Sequence, residues 1–245
     1  MVKLVPYFIS HKLSFIMVEL SKLEKLISYT FKDKNLLKEA MTHRSYLNEN
    51  PSWKLSDNER LEFLGDAVLE LAVTEELFNR YPDYQEGQMT GLRAALVNYV
   101  MLAEVSKSFG LEKFILLSRG EAKDTGRARD VILANAIEAL IGAIYLDGEY
   151  KKVKKFVNDF VVERLEEVIK GGLYKDSKSS LQEKTQETLK ATPVYKVLSE
   201  IGPDHDKVFT VGVYIAGKLA AQGTGYSKHD AETDAARIAL EGLPN

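Results

Sequence analysis

Between residues 20 and 169 the apolar positions recur at three- and four-residue spacing, the period of amphipathic helices. The pattern predicts helical runs over Asn35–Thr42, Asn58–Tyr81, Met89–Phe109, Arg129–Leu146 and Tyr150–Lys170, with stops at Tyr81-Pro82, Phe109-Gly110 and Asp147-Gly148. Ser21-x-x-Glu24 has the spacing of a capping box. No run of strand-like alternation interrupts this region, so an all-α domain is expected over 17–170. The period then changes. Residues 171–177 belong to an aperiodic stretch rich in Gly, Ser and Lys, the composition of a flexible linker. Beyond it the pattern reads as a helix (Ser179–Ala191), three strands (Val194–Glu200, Val208–Ala216, Lys218–Tyr226) and an Ala-rich helix (Ser227–Glu241). The chain is therefore expected to be multidomain, the all-α region being followed by an α+β module of order α-β-β-β-α over 178–243.

One stretch departs from ordinary patterning. Asn58-Glu59-Arg60-Leu61-Glu62-Phe63-Leu64-Gly65-Asp66 places three carboxylates at i, i+3 and i+7, on one face of a helix. Acidic residues at such spacing usually form a solvated face. Here Leu61, Phe63, Leu64, Ala67, Val68, Leu71 and Ala72 leave little of the helix polar, which predicts that it is mostly buried. Buried carboxylates are costly unless paired or bound to metal, and Mg²⁺ prefers oxygen ligands. A second acid, Glu138, sits in the apolar run Ala136–Leu146. It is expected either to pair with Arg93 or Arg129, or to face Glu62 and Asp66 across a helix contact and complete an oxygen-ligand cage.

Composition narrows the options. The 245-residue chain has a net charge of −3, too slight to mark a nucleic-acid-binding protein, so any RNA or DNA contact must come from local patches. It has no cysteine, which excludes disulfides and thiolate metal sites and fits a cytoplasmic location. No stretch approaches the roughly 18 apolar residues of a membrane span. Residues 1–16 are apolar and basic, and because Met17 directly precedes a good helix they are expected to be a loosely attached extension.

Taken together, the motifs resemble those of the ribonuclease III endonucleases. Glu59–Asp66 is similar to that family's signature, and the likeness extends through Thr42-His43-Arg44-Ser45, Glu86–Val97 and Glu138–Asp147. The C-terminal module resembles a double-stranded RNA-binding domain in Ser179-x-Leu181-Gln182-Glu183, Gly202-Pro203-Asp204-His205 and Gly223–Glu232. The resemblance implies Mg²⁺-dependent hydrolysis of phosphodiesters in duplex RNA, with Mn²⁺ as a substitute, 5′-phosphate products and a part in ribosomal and messenger RNA processing. It implies Glu62, Asp66 and Glu138 as metal ligands, with Asp66 and Glu138 catalytic, and Glu59 in support. It also implies a homodimer in which Phe63 enters a pocket on the partner, no membrane contact and no small-molecule cofactor.

At one position the pattern differs. Family members usually carry an aspartate three residues before the glutamate; this chain carries Asn135. The amide keeps a carbonyl oxygen but loses a charge, so Asn135 is expected to be a weaker ligand. The outcome is either reduced Mg²⁺ affinity with a preference for Mn²⁺, or a duplex-binding protein that cleaves poorly. For RNA contact the candidates are Ser179, Gln182 and Gln186 on the first helix of the module, His205 in a loop, and Lys228 at the start of the last helix, where its charge adds to the helix dipole. From Asp176 to Leu240 there are eight Lys/Arg and nine Asp/Glu, which predicts modest affinity and a shallow salt dependence. Lys123, Arg127 and Arg129 form a basic loop that is either a further RNA contact or an ordinary solvated segment.

Overall fold

The computed structural model describes residues 19–172, 177–203 and 207–243. The expected extension 1–16, residues 173–176 of the expected linker, and His205 lie outside the described residues. The chain divides into two compact units, one running to residue 174 and the other starting at residue 175.

The first unit is helical. Residues 19–26 belong to α1; α2 (Lys34–Ala40), α3 (Arg44–Glu49), α4 (Glu59–Arg80), α5 (Glu86–Val97), α6 (Tyr99–Ser108), α7 (Arg127–Asp147), α8 (Tyr150–Phe160) and α9 (Leu165–Gly171) follow. Helix α7 is apolar around most of its circumference, and such a helix must be covered on all sides. Its residues from Ile132 to Ile144 are buried except Asn135 and Glu138, and it packs on α4, α6, α2 and α8. Two glycines let α4 and α7 meet backbone to backbone. A Cβ on Gly65 would lie 1.8 Å from the Glu138 carbonyl oxygen, and one on Gly142 would lie 2.3 Å from that of Leu61. This close approach sets Glu62 and Asp66 beside Asn135 and Glu138. At the far end of α7, Asp147 accepts hydrogen bonds from the Tyr29 hydroxyl (2.7 Å) and the Lys32 and Asp33 amides (2.9 and 2.7 Å), fastening the α1–α2 connection.

Several expectations need correcting. The run Met89–Phe109 is two helices, because Asn98 takes an extended conformation and its side chain caps α6 by accepting from the Met101 amide at 3.0 Å. The run Tyr150–Lys170 is broken by the 3-10 turn Val162–Arg164. Ser21 lies inside α1 rather than at its cap position, and the Glu24 carboxylate is buried and accepts from the Phe31 amide (2.7 Å) and the Lys34 ammonium. The helical reading also missed α3 and a parallel bridge, Thr42 to Leu116, that ties the start of α3 to the loop after α6.

The second unit holds α10 (Ser177–Leu189), β1 (Val194–Ile201), β2 (Val208–Ile215), β3 (Lys218–Gly225) and α11 (Lys228–Gly242). The strands form an antiparallel sheet in the order β1-β2-β3. Val213 and Ile215 point from β2 into a core completed by Leu181 of α10 and by Ala235, Ala236 and Ala239 of α11. Small residues on α11 allow it to lie close to β3, where a Cβ on Gly223 would meet the Ala235 nitrogen at 2.1 Å. The β2–β3 hairpin turns through Ala216 and Gly217, both at positive φ (50° and 79°), the conformation of a two-residue primed turn.

Candidate functional site

Helices α4 and α7 bring Glu62, Asp66, Glu138 and Asn135 together. Glu62, Glu138 and Asn135 are half-buried, and Asp66 stands at the exposed rim. Burial, reinforced by the charges of Asp66 and then Glu62, pushes the Glu138 carboxyl up to about 8. Burial and the Glu59 charge raise the Glu62 carboxyl as well; a hydrogen bond from Asn135 opposes them, and Asp66 and Asp57 add to the rise. Among the described residues no lysine or arginine pairs with Glu62, Asp66 or Glu138. The expected alternative partner Arg93 instead donates to the Thr74 hydroxyl at 3.2 Å. Glu59 is exposed and lies 3.4 Å from the Arg44 guanidinium.

These groups form a half-buried cluster of like charge, with hard oxygen donors and no internal cation, and that chemistry fits a divalent ion. Among the described residues no three acid or imidazole side chains already converge on one point.

The outer face of α4 overturns the expectation of a mostly buried helix. Phe63, Leu71 and Phe78, separated by eight and seven residues and so on one side, are 84, 56 and 68% exposed. Beside Phe78 lies a groove of about 210 Å³ lined by Leu77, Met89, Thr90 and Arg93 among others. The apolar residues of α4 serve two faces, one turned to α7 and one left exposed among the described residues.

In the second unit, Ser179, Gln182 and Gln186 stand on the exposed side of α10, opposite the buried Leu181 and Thr185. Lys228 opens α11, whose start is capped by the Ser227 hydroxyl accepting from the Asp230 amide at 3.1 Å. Its ammonium is 3.3 Å from Glu200 and lies over the Phe209 ring. Sequence reasoning passed over Lys178, which pairs with Glu232, and Lys207, 3.9 Å from Glu200. Glu232 lies 54 residues from Lys178, beyond any local pattern, whereas Glu200 stands near the end of β1, shortly before Lys207. The expected basic loop needs correcting, because Arg127 and Arg129 belong to the first turn of α7; Lys123 is exposed, Arg127 lies 5.7 Å over the Tyr99 ring, and Arg129 has its Nη1 buried without a hydrogen-bond partner.

A helical unit with an acidic cluster at a helix–helix seam, joined to an α-β-β-β-α module, has the architecture of a duplex-RNA nuclease. Residues 33–165 match the family described as Ribonuclease-III-like, and residues 177–243 match the double-stranded RNA binding motif. Ribonuclease 3 of Syntrophobacter fumaroxidans is 45% identical over 227 residues, covering 91% of this chain and 93% of the relative. Ribonuclease 3 of Oleidesulfovibrio alaskensis is 44% identical, covering 90% of this chain and 96% of its own. A solved structure of the nuclease domain of ribonuclease III from Campylobacter jejuni superposes with a TM-score of 0.53 at 44% identity, over 58% of this chain and 95% of that one; its description refers to flexibility in a region involved in dimer formation. The chain belongs to the ribonuclease III family of endoribonucleases and carries a double-stranded RNA-binding motif. Among the described residues no helix is long and apolar enough to cross a membrane.

Proposed function

We propose that the chain cleaves double-stranded RNA by metal-dependent hydrolysis of phosphodiesters at the α4–α7 seam, leaving 5′-phosphate ends, in cytoplasmic processing of ribosomal precursor and messenger RNA. The observation that carries this reading is the cluster of half-buried and rim carboxylates, Glu62, Asp66 and Glu138, with no cationic partner among the described residues. Burial makes an unpaired carboxylate costly, and that cost is accounted for if the ionised form is needed to hold Mg²⁺, or Mn²⁺ in its place. Divalent ions held there would supply an activated water and charge stabilisation at the scissile phosphate. Asp66, at the rim, would stand nearest incoming RNA. Glu138 would anchor the buried end. Asn135 would steady Glu62 through its amide while offering its carbonyl oxygen inward. Glu59, held by Arg44, would support the start of α4.

Ser179, Gln182 and Gln186 would meet 2′-hydroxyls and phosphates across the minor groove, with Lys228 and His205 on the phosphate backbone. The exposed stripe Phe63–Leu71–Phe78 would be covered by a second copy of the chain, giving a homodimer.

Incubation of a long RNA duplex with the chain over a Mg²⁺ series tests the proposal, with Asn135→Asp alongside. Duplex-specific cleavage is expected, and Asn135→Asp should reach half-maximal rate at about 10-fold or more lower Mg²⁺. Equal rates at limiting Mg²⁺ would show that the amide is harmless. Duplex binding without cleavage at any Mg²⁺ or Mn²⁺ concentration would favour a binding protein with an impaired site.

A further inference from the structure

The first residue of α11 is not held in open solvent. Lys228 Nζ lies 3.3 Å from Glu200 Oε1, and Lys207 Nζ lies 3.9 Å from Glu200 Oε2, so the two oxygens of one carboxylate face two lysines. Glu200 is on β1 directly opposite Phe209 of β2, and the Phe209 ring lies 5.7 Å beneath the Lys228 ammonium. The carboxylate therefore lies between two cations, one of which opens α11 and sits over an aromatic ring. That combination of charge and dipole is also what attracts a phosphate. The side chains of Glu200 and Lys228 are 39 and 58% exposed, so an incoming anion can compete for the lysine. The pattern recurs at the start of α10, where Lys178 pairs with Glu232 of α11.

We infer that Glu200 is an intramolecular counter-anion that sets RNA affinity: it holds Lys207 and Lys228 in the position a phosphate would take and must release them when duplex RNA binds. The inference rests on the RNA-binding reading of this unit and goes beyond it, because it assigns a restraining role to an acid rather than a contact to a base. An exposed carboxylate–lysine pair is weak, so the restraint is modest and displaceable. Its effect is specific, because it acts on the lysine that opens α11 and on its neighbour.

The test uses the full-length chain in EDTA, so that binding is read without cleavage, and a blunt RNA duplex longer than about 16 base pairs. Glu200→Gln is expected to bind about two- to fivefold tighter at low salt, with a log–log salt slope steeper by up to about 1. In a Lys207→Ala/Lys228→Ala background the same substitution should give no gain. Unchanged or weaker binding by Glu200→Gln would overturn the inference. So would a gain that persists undiminished without the two lysines, since that would be a diffuse charge effect. Failure of the wild-type chain to bind duplex RNA would instead sink the RNA-binding reading itself.

Discussion

The α4–α7 seam and the start of α11 treat charge in opposite ways. At the seam, Glu62 and Glu138 are half-buried and Asp66 stands at the rim, all share one sign and have no cation among the described residues, and burial pushes Glu138 up to about 8. At α11 the charges are exposed and Lys228 faces Glu200 at 3.3 Å. Burial multiplies the cost of an uncompensated charge, whereas solvent screens an exposed one. The seam is thus the proposed place for an ion from outside, and the α11 surface one whose charges can be exchanged cheaply. The first suits chemistry that needs a fixed cation; the second suits reversible contact with a phosphate backbone.

The strongest way to break this comparison is at the seam. Glu138→Gln should lower duplex cleavage in Mg²⁺ by about 100-fold or more while leaving duplex binding in EDTA within about twofold, read by gel assays on one substrate. Cleavage at the wild-type rate would remove Glu138 from the site. Next comes the uncovered face of α4. Phe63→Asp should weaken self-association by more than about tenfold in sedimentation experiments, because it places a charge where an apolar partner surface is proposed. Identical sedimentation of the two proteins would remove Phe63 from any interface. Gly65→Ala should destabilise the first unit by about 1–3 kcal/mol in urea unfolding, since a Cβ there would lie 1.8 Å from the Glu138 carbonyl oxygen. An unchanged midpoint would mean that the seam can widen freely. Smallest of all, Tyr29→Phe should cost about 1 kcal/mol through the lost 2.7 Å hydrogen bond to Asp147.

Much of the fold was legible because α4, α7 and the three strands carry clear periods, and the observed spans differ from the expected ones by two residues or fewer at each end. What escaped depended on competition or distance. Asn98 looked like one more polar residue in a helical run, yet its side chain offers the Met101 amide a cap that a continuous helix does not need. Glu24 had capping-box spacing, but the Phe31 amide and Lys34 claim it. The acids at the seam were recognisable from their own helices, because apolar neighbours made each of them anomalous. The exposure of Phe63, Leu71 and Phe78 was not, since periodicity shows that α4 has apolar residues on several sides and cannot say which side a neighbour covers. The two acids beside Lys228 and Lys178 were invisible for a similar reason: Glu200 lies on β1 and Glu232 on α11, and only the fold brings them to those lysines.

The proposal that the seam acids hold a divalent ion is tested by the melting temperature of the full-length chain against pH, with EDTA and with Mg²⁺, for wild type and Glu138→Gln. Glu138 is raised from 4.5 to about 8 in the folded chain, so its folded form holds a proton that the unfolded form has lost across that window. Without Mg²⁺, stability linked to Glu138 is present below about 4.5 and is lost as pH rises through about 8. Wild type is expected to decline across this range in EDTA and Glu138→Gln to decline less, and Mg²⁺ should raise the wild-type melting temperature at pH 8 more than the variant's. Superimposable profiles for the two proteins in EDTA, with equal shifts on adding Mg²⁺, would contradict the proposal.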